Sequence, residues 1–227
     1  MRLAVLFSGG KDSCYALHLA VKQGHEIACL VNIVSESNES YMFHTPNIHL
    51  AELQAKAIGL PLLKKTTKGE KEKELADLKD AIIEAKEKFK IQGVVTGAVA
   101  SVYQASRIKK ICEELGLECV NPLWGKDQVE LLNELLENKF SVLISGIFAY
   151  PLDEKWLGRI IDRDIVSKLS ELKQKYKLNP AGEGGEIETT VLDAPFFKKK
   201  IAIVDSEIKA KDNEGIFVVK KAVLEEK

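Results

Sequence analysis

Short, wholly apolar runs alternate with longer segments of helical period through the first half of the chain. Leu3 to Phe7 reads as a buried strand, followed by a glycine turn and a helix from about Asp12 to Gln23. Ile27 to Val34 is a second buried strand, and a helix near Ile48 to Ile58 leads to a short strand at Leu62 to Thr66. Between Glu70 and Lys90, Leu75, Leu78, Ile82, Ala85 and Phe89 fall at helical spacing among Lys and Glu. That predicts an amphipathic helix with one stripe on a core and a solvated charged face. Gly93 to Val99, Ser101 to Leu115 and Leu117 to Asn121 continue the series as strand, helix and strand. Strands that are apolar on both faces and separated by helices imply a parallel sheet covered on both sides. Ligands of such sheets sit at the carboxyl ends of the strands. The loops starting at Ser8, Val34, Gly97 and Pro122 are therefore where chemistry is expected.

After Trp124 the character changes. A helix at 127–138 and a strand at 142–147 precede a predicted long helix from Asp153 to Tyr176, with Leu157, Ile161, Ile165, Leu169 and Leu172 on its stripe. The tail has β-branched runs separated by charged turns such as KDNEG, which reads as antiparallel. The expected organisation is a Rossmann-like α/β domain over residues 1–125 and a smaller α+β domain over 126–227. No low-complexity linker separates them, so the two parts are expected to pack together.

The 227 residues are 45% hydrophobic, enough for a sizeable core without disulfide or metal staples. The 33 basic and 34 acidic side chains nearly cancel, at net −1, which argues against non-specific nucleic-acid binding. No apolar run approaches the length needed to cross a bilayer, and the short N-terminal apolar stretch runs directly into a motif. A cytoplasmic protein without membrane contact is expected. The four cysteines (Cys14, Cys29, Cys112 and Cys119) form no C-x-x-C pair, so reduced and mostly buried thiols are expected. Nothing in the chain fixes an oligomeric state, and a homo-oligomer stays open.

Ser8-Gly9-Gly10-Lys11-Asp12-Ser13 lies between a buried strand and a helix. Glycines at 9 and 10 let backbone N–H groups approach an anion without a Cβ in the way. The helix start supplies further N–H groups and a partial positive charge of roughly half an electron. Ser8 and Ser13 add hydroxyls, and Lys11 adds a full charge. The spacing is not that of a Walker loop. An ordinary glycine turn with Asp12 and Ser13 capping a helix is the plain alternative.

Further candidates stand at the other strand ends. Met42-Phe43-His44-Thr45-Pro46-Asn47 puts His44 in a loop, where a structural hydrogen-bonding role competes with ligand contact. Gly97, Tyr103, Gln104 and Arg107 fall at a strand end and on the following helix, with Tyr103 and Arg107 one turn apart on one face. Arginine there suits bidentate contact to phosphate or carboxylate, or a plain surface role. Three glutamates and three glycines occupy the seven residues from Gly182 to Glu188. Like charges repel and glycines cost entropy, so the stretch suits carboxylates holding a metal or a loop that closes on substrate. An exposed acidic turn is the alternative.

SGGKDS after an N-terminal strand resembles the PP-loop ATP pyrophosphatases, the adenine nucleotide α-hydrolase-like superfamily. With MFHTPN, VVTGAVASVYQASRIKKICEELGL, NPLW and GEGGEIETTVLDAP, the chain resembles the diphthine–ammonia ligase branch over residues 3 to 195. The resemblance implies ATP as substrate and attack at the α-phosphate. It implies adenylation of the diphthine carboxylate on translation elongation factor 2 and amidation by free ammonium. Residues Ser8 to Ser13 would then hold phosphates, with Val31 and Asn32 at the adenine through backbone contacts and His44 and Gly97 nearby. Asp12 is the candidate ligand for Mg2+. Lys11, Asp12, Glu183, Glu186 and Glu188 are the candidate catalytic residues, the glutamates to orient ammonium or accept its proton. Tyr103, Gln104, Arg107, Gly184, Gly185 and Thr189 are the candidate substrate contacts. Relative to fungal-type members the chain is expected to lack extra C-terminal domains. A tRNA-modifying PP-loop enzyme and a non-catalytic ATP-binding module are the competing readings.

Overall fold

The structure, a computed structural model, describes residues 1–35, 47–68 and 71–227, with backbone only at 71–73. β1 (Arg2–Leu6), β2 (Glu26–Ser35), β3 (Leu62–Thr67), β4 (Gly93–Val95) and β5 (Glu118–Val120) form one parallel sheet in the order β3-β2-β1-β4-β5. The helices between them are α1 (Lys11–Lys22), α2 (Ala51–Ile58, after a 3-10 turn at Ile48–Leu50), α3 (Lys71–Phe89) and α4 (Val102–Leu115). The parallel order expected from the buried strands is present.

Each sheet face has its own core. Leu78, Ala81, Ile82 and Ala85 of α3 and Ile108, Ile111 and Cys112 of α4 pack on Ala4, Cys29, Val31 and Val94. On the other face α1 and α2 lie against Leu3, Val5 and Leu30. That second cluster runs on without interruption into the rest of the chain, through Leu131, Ile144, Val166 and Val191. The two sheets therefore share one apolar core, which is the packing expected where no linker intervenes.

The remaining elements are α5 (Gln128–Glu137), β6 (Ser141–Phe148), a 3-10 turn at Glu154–Trp156, α6 (Arg163–Tyr176), β7 (Ile187–Asp193), β8 (Lys200–Lys211) and β9 (Glu214–Glu225). The four strands form an antiparallel sheet in the order β7-β6-β9-β8. β8 and β9 close a hairpin whose turn holds Asp212 at φ 56.

Two boundaries differ from the sequence expectation. The helix predicted from Asp153 begins only at Arg163, where the Asp162 carboxylate caps it by accepting from Ile165 N at 2.8 Å. Leu157 and Ile161 are buried as the stripe required, but from the turn after the 3-10 segment and from a short stretch laid along β6, with Ile161 N donating to Val142 O at 2.8 Å. Gly158, at φ +78, breaks the helical path. The strand predicted to reach Val99 stops at Val95, because the backbone turns at Thr96 and its hydroxyl accepts from Ala98 N at 3.2 Å. Among the described residues, no helix is long and apolar enough to cross a membrane.

Candidate active site

Strand order 3-2-1-4-5 reverses direction of winding between β1 and β4, and a crevice opens there at the carboxyl ends. A cavity of 710 Å3 fills it. One end is apolar, walled by Leu6, Val31, Ile33, Leu78 and Ile108. The other is polar, walled by Ser8 to Ser13, the 96–101 loop and the Gly182–Thr189 segment that leads into β7. An amphipathic cavity of this size suits a ligand with a flat apolar base at one end and anionic groups at the other.

The polar end is organised by the start of α1. Gly10 precedes it in extended conformation and gives no side-chain cap, unlike the residues before α4, α5 and α6. Past the N–H of Lys11, the first turn of α1 is thus left without a cap from its own N-terminal side, and the positive end of the helix dipole lies at the cavity. Gly9 takes φ +81, and a Cβ there would lie 2.0 Å from Gln54 Oε1. Its carbonyl accepts from Gln54 Nε2 at 2.8 Å and from Val191 N at 3.0 Å. Lys11 N donates to Thr189 Oγ1 at 3.1 Å. The turn is therefore clamped from α2 on one side and β7 on the other. Ser8 and Ser13 hydroxyls meet at 3.3 Å, and Ser13 also donates to Gly10 O at 3.1 Å.

Lys11 is buried at 3% exposure. Its ammonium donates to Asp12 Oδ2 at 2.9 Å and to the Ala181 carbonyl. Asp12 Oδ1 is buried and has no hydrogen-bond partner. An orphaned carboxylate oxygen beside a phosphate-binding turn fits Mg2+, which takes one or two carboxylates and completes its shell with phosphates and water. Among the described residues no cluster of three or more His, Cys, Asp or Glu could form a protein-only cage.

Glu183 and Glu188 face the same cavity. Burial pushes the Glu188 carboxyl up to about 7; the Asp12 charge adds to that and Lys11 opposes it. Burial also raises Glu183, again with Asp12 adding, while the N–H of Ala100, 3.0 Å away, pulls it back. Glu186 is placed differently. Its carboxylate accepts from Asn179 Nδ2 at 2.7 Å, Asn179 N at 3.2 Å and Gly184 N at 2.9 Å, and it braces the turn from outside the cavity.

The other candidates divide in the same way. Val31, Gly97, Gln104, Gly184, Gly185 and Thr189 line the cavity. Asn32 does not: its side chain is buried and donates to Phe7 O at 2.7 Å, holding the end of β1. Arg107 lies over the Tyr103 ring at 3.5 Å, and neither residue lines the cavity. His44 lies outside the described residues. Asn47, from the same motif, bonds to Phe217 O and Val219 N of β9 at 2.8 Å each.

Sequence reasoning passed over Gln54 and Thr96. Gln54 sits on a short amphipathic helix where a glutamine reads as surface, yet it is 1% exposed and spans Gly9 O and Val191 O. Gly97 has a clear physical basis. A Cβ there would lie 2.8 Å from the Asp12 carbonyl carbon and 2.9 Å from Ser13 N. We expect Gly97→Ala to cost about 1–3 kcal/mol of stability in denaturant melts and to weaken ATP binding by displacing the start of α1. An unchanged affinity would remove that helix start from the nucleotide site.

A five-stranded parallel sheet with a glycine-led helix at its switch point defines a Rossmann-like α/β protein whose helix start is suited to an anion. Family models place it further. The diphthamide synthase N-terminal domain matches residues 1–119, the diphthamide synthase C-terminal domain matches residues 127–224, and the chain belongs to that family. It is 37% identical over 227 residues to the diphthine–ammonia ligase of Homo sapiens, covering 92% of this chain and 85% of that protein. The Danio rerio diphthine–ammonia ligase is 36% identical over 225 residues, covering 91% and 88%. The Schizosaccharomyces pombe protein of the same name is 34% identical, and there the match covers 92% of this chain but 37% of that one. A solved structure from Methanocaldococcus jannaschii, described as a predicted subunit of tRNA methyltransferase, has TM-score 0.46 at 20% identity, covering 86% of this chain and 98% of that one.

Proposed function

We propose that this chain is an ATP-dependent, AMP-forming ligase that adenylates the diphthine carboxylate of translation elongation factor 2 and amidates it with ammonium. One observation carries the reading. The start of α1 and the glutamates at 183 and 188 line one and the same cavity. Phosphate binding and proton transfer are thereby within reach of one substrate.

The chemistry follows from the residues. A carboxylate does not react with ammonia because its leaving group would be oxide. Its oxygen instead attacks the α-phosphorus of ATP, the bond to the β-phosphate oxygen breaks, and pyrophosphate leaves. The Gly9–Ser13 turn and Lys11 stabilise the charge that gathers on the departing phosphates. Mg2+ at Asp12 would supply further charge neutralisation there. Ammonia nitrogen then attacks the acyl carbon, the bond from that carbon to the AMP oxygen breaks, AMP departs, and the nitrogen sheds one proton to solvent to leave the neutral amide. Ammonia first has to be made from ammonium. Glu188, with its carboxyl raised to about 7, exchanges protons near neutrality and is the group suited to take that proton. Glu183 holds the cation beside it. Residues Leu6, Val31, Ile33 and Leu78 would receive the adenine.

A sulfur-transfer reading, as in tRNA thiolation, is not favoured, because among the described residues no cysteine lines the cavity. Cys14 is fully buried on α1 and burial pushes its thiol far up, away from thiolate.

The test is incubation with ATP, ammonium and diphthine-bearing elongation factor. The expected products are AMP, pyrophosphate and a factor whose mass registers exchange of a carboxyl hydroxyl for an amino group. Formation of ADP, or ATP left intact, would overturn the proposal.

A further inference from the structure

Gln128 opens α5 and stands outside the cavity, yet both ends of its amide are committed to the loop that carries the glutamates. Oε1 accepts from Ala181 N at 3.0 Å, and Nε2 donates to Asn179 Oδ1 at 3.0 Å. The carbonyl of Ala181 accepts from Lys11 Nζ. Ala181, 1% exposed, is thus fixed by its N–H from α5 and by its C=O from the phosphate turn. From Asn179 the chain of bonds continues through Glu186 to Gly184 N, at the tip of the loop.

The anchor itself is firm. The Asp127 carboxylate caps α5 through Val129 N and Glu130 N, and Leu131, Leu132 and Leu135 are buried in the shared core. A primary amide is the one group of this length that accepts at one end and donates at the other; a carboxylate only accepts and an ammonium only donates.

The geometry points to Gln128 as a positioning residue for the ligase reaction: it ties loop 179–188 to α5 and so fixes the carbonyl on which the Lys11 ammonium is seated. It touches neither nucleotide nor reacting atoms. The inference rests on the reading that Lys11 serves the phosphates of bound ATP. Without the amide, Lys11 keeps its bond to Asp12, but its second acceptor and the glutamate loop are free to shift together. Displacements on the order of 1 Å suffice to slow a positioned reaction.

The experiment is steady-state AMP release from ATP by the full chain, in the presence of the diphthine-bearing factor and ammonium. Gln128→Ala should lower kcat at least tenfold, a tenth of what about 1 Å of misplacement is known to cost. KM for ATP should stay within about twofold, since the lost alignment acts in the transition state and not on ground-state binding. Gln128→Glu keeps the length and the acceptor for Ala181 N, and should recover part of the lost kcat. It also serves where the alanine variant folds poorly. An unchanged kcat in Gln128→Ala overturns the inference, as does a loss that merely follows the unfolded fraction in a thermal melt. A wild-type chain that releases no AMP fails the ligase reading itself. A wild-type chain that is active and equal to its variant fails only the positioning role.

Discussion

Replacing Lys11 by alanine should cut AMP formation by about 10²–10³-fold, the usual cost of removing one preorganised charge from a transition-state site. The expectation follows from where the ammonium sits. It is buried at the head of α1, is held by Asp12 and by Ala181 O, and has one proton left to aim into the cavity. A buried ammonium retained for stability alone would be a poor choice, since burial of an ion pair costs about as much as its attraction returns. Lys11→Arg should not restore the rate, because a planar guanidinium does not reproduce the compact point charge that these two acceptors seat. Rapid-quench measurement of AMP, beside a thermal melt that confirms folding, checks both variants. Full activity in Lys11→Ala would take the residue out of the reaction.

Glu188→Gln is the second large effect. If Glu188 takes the proton from ammonium, its loss should slow amide formation by about 10²–10⁴-fold. The pH dependence gives a separate signature. With the carboxyl raised to about 7, the active, ionised form accumulates as pH rises through that value, so wild-type turnover should climb there. The variant should lose that limb. Stability moves the opposite way. Between the ordinary carboxylate value near 4.5 and about 7 the folded chain holds a proton that the unfolded chain has released, so this group favours the folded state less and less as pH rises. Above about 7 it is an ionised carboxylate in a desolvated place. Glu188→Gln should accordingly gain on wild type between pH 5 and pH 8, by about 1 kcal/mol at the lower pH and about 3 kcal/mol at the higher. Equal melts at both pH values would mean that the carboxyl is not raised.

Much of this was written in local patterns. The β1–turn–α1 unit is legible because an apolar run, two glycines and a lysine leave the backbone few alternatives, and the alternation of buried strands with amphipathic helices gives the parallel sheet. The acidic glycine loop stood out as a loop with a purpose. What the pattern did not carry was direction. Three glutamates look alike on paper, but Gly185 at φ +84 and the turn after Gly182 send 183 and 188 inward and leave 186 to bind Asn179. Leu157 and Ile161 satisfied a helical spacing while lying on either side of a turn, where Gly158 at φ +78 redirects the chain and both side chains still reach the core. Gln54 and Gln128 were invisible for a different reason. Their partners, three backbone groups and the Asn179 side chain, lie more than 40 residues away in sequence, and no local periodicity reports a bond of that range.

The clamp on the phosphate turn has a consequence for how this protein can be divided. Val191 N on Gly9 O, Thr189 Oγ1 on Lys11 N and Ala181 O on Lys11 Nζ all come from the far end of the chain. A fragment cut after the parallel sheet would keep the signature sequence and lose three of the groups that shape it. The nucleotide cradle is a joint product of both ends of the polypeptide, and could not be shuffled between proteins as a free-standing cassette.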